Sequence, residues 1–423
     1  MPLALPRMFR ALRHRNFRLF FIGQGLSVMG TWLQQVAMGW LTYRISGSVF
    51  LLGVVAFCTN AGILFLGTFA GVVADHVHRR NALRVTQSLA LLQAAMLAVL
   101  TWSGHIAVWH LIVLAVWLGV VQAFDVPLRQ SLWVHLVEDR ADLPNVVALN
   151  STLVNAARIV GPALAGLLLA VVSEAVCFAL NSLSFVAVIV AVSRMRWAHE
   201  PKPQPWEGGF FAKWAEGWRY VSGFAPARAM LLLVAVLSWT IAPYSSLMPA
   251  FAKDIYGGGP QTLGFLLAAA GAGALTSSLY LASRPTIRGL GRVIALAGAG
   301  SGLALAAFSY LTSLPLALPL MFAVGGGIML ACASVNTILQ SIVADELRGR
   351  VAGFFMLAFI GMSPLGNLAA GAAGSAIGIQ ATFAANGAIA VIAALVFWRG
   401  LPKWRALMRP TCRRLGIIPA DST

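Results

Sequence analysis

Charge is what this chain has least of: Asp, Glu, Lys and Arg together make up 10% of its 423 residues, where a soluble domain carries about 25%. Hydrophobic residues reach 59%, so the apolar runs must face lipid rather than fill one water-bounded core. Acid is scarcer than base, with 13 acidic residues against 30 basic ones and a net charge of +17. Such a balance raises the prospect of nucleic acid. The positive residues, however, are dispersed among short loops, and no basic face interleaved with aromatics exists to track a phosphate backbone. Nucleic acid is not an expected partner; the membrane lipids, with their anionic headgroups, are the counter-surface.

Catalytic signatures are missing too. The seven histidines (His14, His76, His78, His105, His110, His135 and His199) form no H-E-x-x-H, and there is no nucleophile elbow. The absence of a Walker loop argues against ATP-driven pumping by this chain. No ring of repeated charged or carbonyl elements suggests a channel. The four cysteines, Cys58, Cys177, Cys332 and Cys412, are far apart, with neither metal-ligand spacing nor an evident disulfide pair. His105 and His110 read as interfacial imidazoles rather than metal ligands. An enzyme is not expected, nor a metal or a cofactor.

What the chain has is long apolar runs. About 20 residues cross a bilayer as a helix, and twelve runs qualify, near 17–43, 48–74, 82–103, 106–127, 146–172, 174–193, 228–252, 261–283, 291–312, 315–340, 350–377 and 380–400. Arg7, Arg10, Arg13, Arg15 and Arg18 look like the start of a signal peptide, but the run after them is too long and lacks a cleavage site. It is a first span. Of the 30 positive residues, 27 lie in alternate gaps, beginning with the N-terminal one; Arg44 and Lys253 alone occupy the other gaps, and Arg158 lies within a run. Positive charge stays inside, so both termini are expected in the cytoplasm.

The longest gap divides the chain. The expected organisation is a six-helix bundle over 1–193, a cytoplasmic linker over 194–227, a second six-helix bundle over 228–400 and a basic cytoplasmic tail over 401–423. In the linker, Trp206, Phe210, Trp214 and Trp218 recur every fourth residue with Lys213, Glu216 and Arg219 elsewhere on the turn, which predicts an amphipathic helix along the membrane interface. The halves echo each other weakly. Gln130-Ser131 follows the fourth run as Gln340-Ser341 follows the tenth, and Gly161-Pro162 corresponds to Ser363-Pro364. Parallel repeats of this kind imply a central cavity where the halves meet.

The gap after the second run reads Gly71-Val72-Val73-Ala74-Asp75-His76-Val77-His78-Arg79-Arg80. With the twelve-run layout it resembles the loop signature of the major facilitator superfamily, departing from it at His76 and His78. The resemblance implies an all-α membrane fold of two pseudo-symmetric six-helix bundles and a cytoplasmic latch. In that latch Gly71 permits close helix approach, Asp75 docks near Gly349 and Arg350, and Arg79 or Arg80 reaches Asp125. Gly161-Pro162 in the fifth run resembles the packing motif of the superfamily's exporters. Phe124 to Gln130, Asn150-Ser151 running into Arg158 and Gly161-Pro162, and Ala242-Pro243-Tyr244 with Leu247-Met248-Pro249 are similar to the bacterial branch that contains the enterobactin exporter and macrolide efflux pumps, the transmembrane secretion effectors.

Two charged residues stand out within the runs. Arg158 sits deep in the fifth, where an arginine costs about 2.5–3.5 kcal/mol to insert; it is an anion contact for substrate, a partner for Asp125, or a snorkelling cap of helix carbonyls. Asp125 precedes Arg129 by one turn, so an i,i+4 pair, and hence a structural gate, is a simpler reading than a proton carrier. The first run offers no acid, only Gln24, Gln34 and Gln35. Gln34, Trp40, Trp117, Gln122, Trp239, Tyr244 and Asn336, on the first, fourth, seventh and tenth runs, combine aromatic surface with polar anchors and are the expected cavity lining alongside Arg158. The resemblance implies a monomeric secondary exporter of small amphipathic compounds, a siderophore or a hydrophobic drug. It would sit in the bacterial inner membrane and exchange cargo for protons. A lipid or lysophospholipid transporter of the same fold is the alternative, and a non-transport membrane protein comes last.

Overall fold

The structure, a computed structural model, describes residues 7–133, 136, 137, 139–195, 210–284 and 286–414. Those residues form helices and no strand. The physical reason is the solvent: lipid offers no hydrogen bonds, so each crossing segment must satisfy its backbone internally. Eleven stretches of the described chain are long and apolar enough to cross a membrane. The first helix is not one of them although it has 32 residues, because its glutamines lower its hydropathy. Those glutamines have partners inside the protein, as described below. The chain forms two compact units, Met1–Trp206 with Ala252–Ala268, and Glu207–Phe251 with Ala269–Thr423.

The first unit contains α1 (Arg15–Ser46), α2 (Val49–His76), α3 (Arg79–Trp102), α4 (Val108–Leu132), α5 (Leu143–Leu169) and α6 (Glu174–Arg194). α1 stops where Gly47 turns left-handed (φ 60°) and its amide bonds back to Tyr43; Ser48 then caps α2 by accepting from the Leu51 amide. Two residues thus suffice to reverse the chain. α2 packs on α4, α6 on both α1 and α3, and α5 on α1. Gly62 and Gly119 let α2 and α4 touch backbone to backbone: a Cβ at Gly62 would overlap the carbonyl of Gly119. Small residues drive helix contact in lipid, where no hydrophobic force distinguishes a partner from an acyl chain.

Ala252–Ala268 joins this unit through specific contacts, so the division does not fall at the linker alone. The Tyr43 hydroxyl donates to the Asp254 carboxylate, and the Lys253 ammonium stands 5.6 Å from the centre of the Tyr43 ring. Gly166 of α5 lies against Pro260 and Gly264. Arg44 pairs with Glu174 at 2.9 Å, closing α1 against the start of α6.

At the opposite ends of these helices, Asp142 gathers the N-terminal segment. Its side chain is wholly buried, with Nε2 of His14 and Nη2 of Arg13 each at 2.8 Å and Arg10 also paired to it. The hydrogen bond from His14, and then the Arg10 and Arg13 guanidiniums, hold the carboxyl below its ordinary value against the opposing effect of burial. A depressed carboxylate contributes stability that is fully present above its unfolded pKa of about 3.9 and is lost as pH falls through the folded value. The amides of Arg10 to His14 should therefore keep their hydrogen-exchange protection from neutrality down to about pH 4. Asp142→Asn should lose that protection at neutral pH. Equal protection in the variant would mean that the segment is held by something else.

The second unit holds α7 (Phe210–Gly223), α8 (Ala225–Thr240), α9 (Tyr244–Ala250), the later part of α10 (Pro260–Ala282), α11 (Leu290–Ser309), α12 (Leu314–Ile342), α13 (Asp345–Met356), α14 (Met362–Ile377) and α15 (Ile379–Arg414). α11 packs on α12 and α15, and α8 on α14 and α15. Phe251, Phe308 and Phe383 meet at ring separations of 4.6 to 6.4 Å. α7, in the linker, is anchored on α13: Glu216 pairs with Arg350 at 2.6 Å, and the Trp218 ring lies 5.9 Å from that of Phe354. Trp206 and the Trp214 side chain lie outside the described residues. α15 does not stop near residue 400 but continues, with Pro402 and Pro410 inside it, to Arg414.

Candidate functional site

A cavity of about 360 Å³ opens within the first unit, bounded by α1, α3, α4, α5 and α6. Its lining follows helix periodicity. α1 contributes Gln24, Ser27, Thr31 and Gln34, at steps of three and four; α4 contributes Leu118, Val121, Gln122, Asp125 and Arg129 in the same register. Trp32 and Phe185 supply aromatic wall, and Val154 is the contribution of α5.

At one end of α1's stripe is a buried ion pair. Asp125, only 6% exposed, pairs with Arg129 one turn along α4. It also accepts from the Thr86 hydroxyl at 2.8 Å and from Nε2 of Gln87 at 2.6 Å, while Arg129 donates to Oε1 of Gln24. The carboxylate thus has three donors from two helices, which offsets the several kcal/mol or so that desolvating an ion costs. Oε1 of Gln87 is buried and has no hydrogen-bond partner among the described residues, an acceptor beside the cavity that a donor on a bound compound could satisfy.

Further along α1 is an uncharged chain of amides. Nδ2 of Asn181 donates to Oε1 of Gln34 at 2.8 Å; Nε2 of Gln34 donates to Oε1 of Gln93 at 3.0 Å; and Nε2 of Gln93 donates to the Leu114 carbonyl at 3.1 Å. Four helices are tied by three bonds. In lipid an unpaired amide is costly, so this chain fixes how α1, α3, α4 and α6 are rotated about their axes.

The arrangement is that of a binding cavity: apolar and aromatic walls, several amides and one internally neutralised ion pair. A family model for transmembrane secretion effectors, of the major facilitator type, matches residues 7–414. The chain belongs to that family. It is a multi-pass membrane transporter family and not a family of enzymes. The staphyloferrin A transporter of Staphylococcus aureus is 25% identical over 384 residues, 90% of this chain and 95% of its own. The multidrug efflux pump Tap of Mycobacterium tuberculosis is 28% identical over 410 residues, covering 94% and 92%. The same fold recurs in a nucleoside transporter (TM-score 0.68, 13% identity, 93% of this chain and 99% of that one). A peptide transporter also shares it, at TM-score 0.72 and 13% identity over 93% and 95%.

Of the residues singled out from the sequence of this secretion-effector chain, Gln34, Gln122, Asp125 and Arg129 line the cavity. Trp117 packs behind it with Ala90, Ala94, Val121 and Phe185. Trp40 and Arg158 are half-buried on α1 and α5. Trp239, Tyr244 and Asn336 belong to the second unit, where the Trp239 side is 38% exposed and its backbone is pressed by Gly366. In the loop signature, Arg79 donates to the Ser131 carbonyl at 3.4 Å and Arg80 to that of Ser193 at 2.7 Å. The Asp75 side chain lies outside the described residues. Among the described residues a Cβ at Gly71 would meet nothing within 4 Å, whereas α2 makes a close backbone approach at Gly62. Gly161 lies against Trp32, and the Pro162 carbonyl against Gly264.

Sequence reasoning missed Trp32, Gln87, Gln93 and Asn181 and left Gln24 without a role. One signal was available. Polar residues at 24, 27, 31 and 34 repeat at helix spacing within a lipid-length run, where each must find a partner.

Proposed function

We propose that this transporter exports small amphipathic compounds, a siderophore or a hydrophobic drug, by alternating access in exchange for protons. It would act as a monomer in a bacterial inner membrane with both termini in the cytoplasm. The observation that carries the reading is the mixed cavity: Trp32 and Phe185 offer surface to an apolar skeleton, and Gln34, Gln87 and Gln122 offer hydrogen bonds to its polar groups. Its one charge pair is self-neutralised, which favours cargo of low net charge. That the relatives include a siderophore transporter and a multidrug efflux pump supports the same cargo class. Arg79 and Arg80 with Asp75 act in the latch. Trp40, Trp117, Arg158, Trp239, Tyr244 and Asn336 are further proposed contacts along the cargo's path.

The test uses inverted membrane vesicles and a fluorescent amphipathic dye of low net charge as cargo. Trp32→Ala should raise the half-saturating concentration about tenfold, the loss of one well-packed aromatic contact, with the amount of inserted protein unchanged. Collapsing the pH gradient at constant membrane potential should stop accumulation. Dye accumulation that survives this collapse would rule out proton exchange. Accumulation equal to that of vesicles lacking the protein would rule out export of that cargo.

A further inference from the structure

A second cavity, of about 610 Å³, lies in the second unit, remote in sequence from the residues that line the first. It is walled by the start of α8, the turn before α11, the end of α12 and the far end of α15. Arg288 and Arg292 contribute from the turn and α11, Arg405 and Arg409 from α15. No carboxylate among the described residues lines it. Behind the arginines the wall is apolar and buried: Met230, Ile338, Ile342, Phe397 and Leu401 are each 5% exposed or less.

The turn is held in shape. The Arg284 guanidinium donates to the Tyr280 hydroxyl and to the Arg288 carbonyl, each at 2.7 Å, and Gly289 adopts φ 78°. The Phe397 and Trp404 rings pack at 4.8 Å where the apolar part of α15 gives way to its basic end. Four guanidiniums over an apolar slot, where the apolar run of α15 turns basic, match a ligand with a phosphate at one end and an acyl chain at the other. A soluble anion would leave the slot unfilled, and a zwitterionic headgroup would bring its own cation against four arginines.

We propose that this cavity is a binding site for an anionic phospholipid, its phosphodiester held by Arg288, Arg292, Arg405 and Arg409 and the start of an acyl chain lying on Phe397 and Leu401. The site is separate from the cargo cavity and does not depend on the direction or coupling of transport. The full-length protein, purified in a neutral detergent, should retain phosphatidylglycerol by native mass spectrometry and melt at a higher temperature with it. Phosphatidylcholine should do neither. Retention should fall at least tenfold in Arg288→Gln/Arg292→Gln and in Arg405→Gln/Arg409→Gln. Ala406→Trp, which keeps every arginine but fills the slot from an exposed position, should lose retention while the lipid-free melting temperature stays unchanged. Equal retention of the two lipids, undiminished retention in the arginine pairs, or full retention by Ala406→Trp would each overturn the proposal. So would inorganic phosphate that displaces the lipid at millimolar concentration, since the site would then be one for a free anion.

Discussion

Asp125→Asn is expected to cost about 3–5 kcal/mol of stability, the range for breaking a buried ion pair by removing one partner. Asparagine keeps the shape but leaves the Arg129 guanidinium, 15% exposed on α4, with Gln24 as its remaining cavity partner. Arg129→Gln should cost a similar amount for the converse reason. The Asp125 carboxylate would then hold a full charge on the Thr86 and Gln87 donors alone. Combining the two should recover most of the loss, because a neutral amide pair needs no compensating charge. The measurement is a double-mutant cycle on melting temperature in detergent, with dye accumulation read in parallel. Losses that simply add would show that the two residues do not act as a pair. Should the double variant fold but fail to transport, the charges themselves have a part in the transport cycle.

Gly62→Leu should abolish recovery of folded protein, whereas Gly71→Leu on the same helix should leave stability within about 0.5 kcal/mol of the parent. The difference lies in what each side chain would meet. At Gly62 the obstacle is the Gly119 backbone, which cannot rotate aside, and Gly119 is itself pressed on the carbonyls of Cys58 and Thr59. At Gly71 an added Cβ would meet none of the described residues within 4 Å. Overpacking ordinarily costs about 1–3 kcal/mol; forcing two helix backbones apart costs more, since every neighbouring contact of α2 and α4 opens with it. The readout is the fraction of detergent-extracted protein that elutes as one monodisperse peak. Gly62→Leu eluting normally would mean that the two helices are not in backbone contact.

Much of the candidate site was hard to read from the chain because in lipid the buried and exposed faces of a helix are equally apolar. On α3, Leu97 is fully buried while Leu92 is 46% and Val99 66% exposed. Nothing in hydropathy separates them. A soluble helix would announce its inner face by a polar outer one; a membrane helix does so only where polar residues sit within the span. Asp125 with Arg129 was legible for that reason, being a charge pair one turn apart in an uncharged run. Trp32 was not, since a tryptophan serves equally well as a lipid anchor or as a cavity wall. Gln93 and Asn181 come together from α3 and α6, 88 residues apart in sequence, and only packing reveals that Gln34 bonds both.

By itself the chain determined roughly where most of the apolar spans lie, which gaps carry the positive charge and, through the loop after the second run, the family of transporters to which it belongs. These are properties of composition along one dimension, and the cost of placing charge in hydrocarbon dictates them locally. The tertiary structure alone decided which faces of α1, α3, α4 and α6 turn inward. It alone assigned Ala252–Ala268 to the first unit through Tyr43 and Asp254, and it alone gathered four arginines from α11, the turn before it and α15 around an apolar slot. Those depend on backbone approach between distant glycines and on polar groups finding one another across helices; apart from the polar stripe of α1, they leave no periodic trace in the sequence.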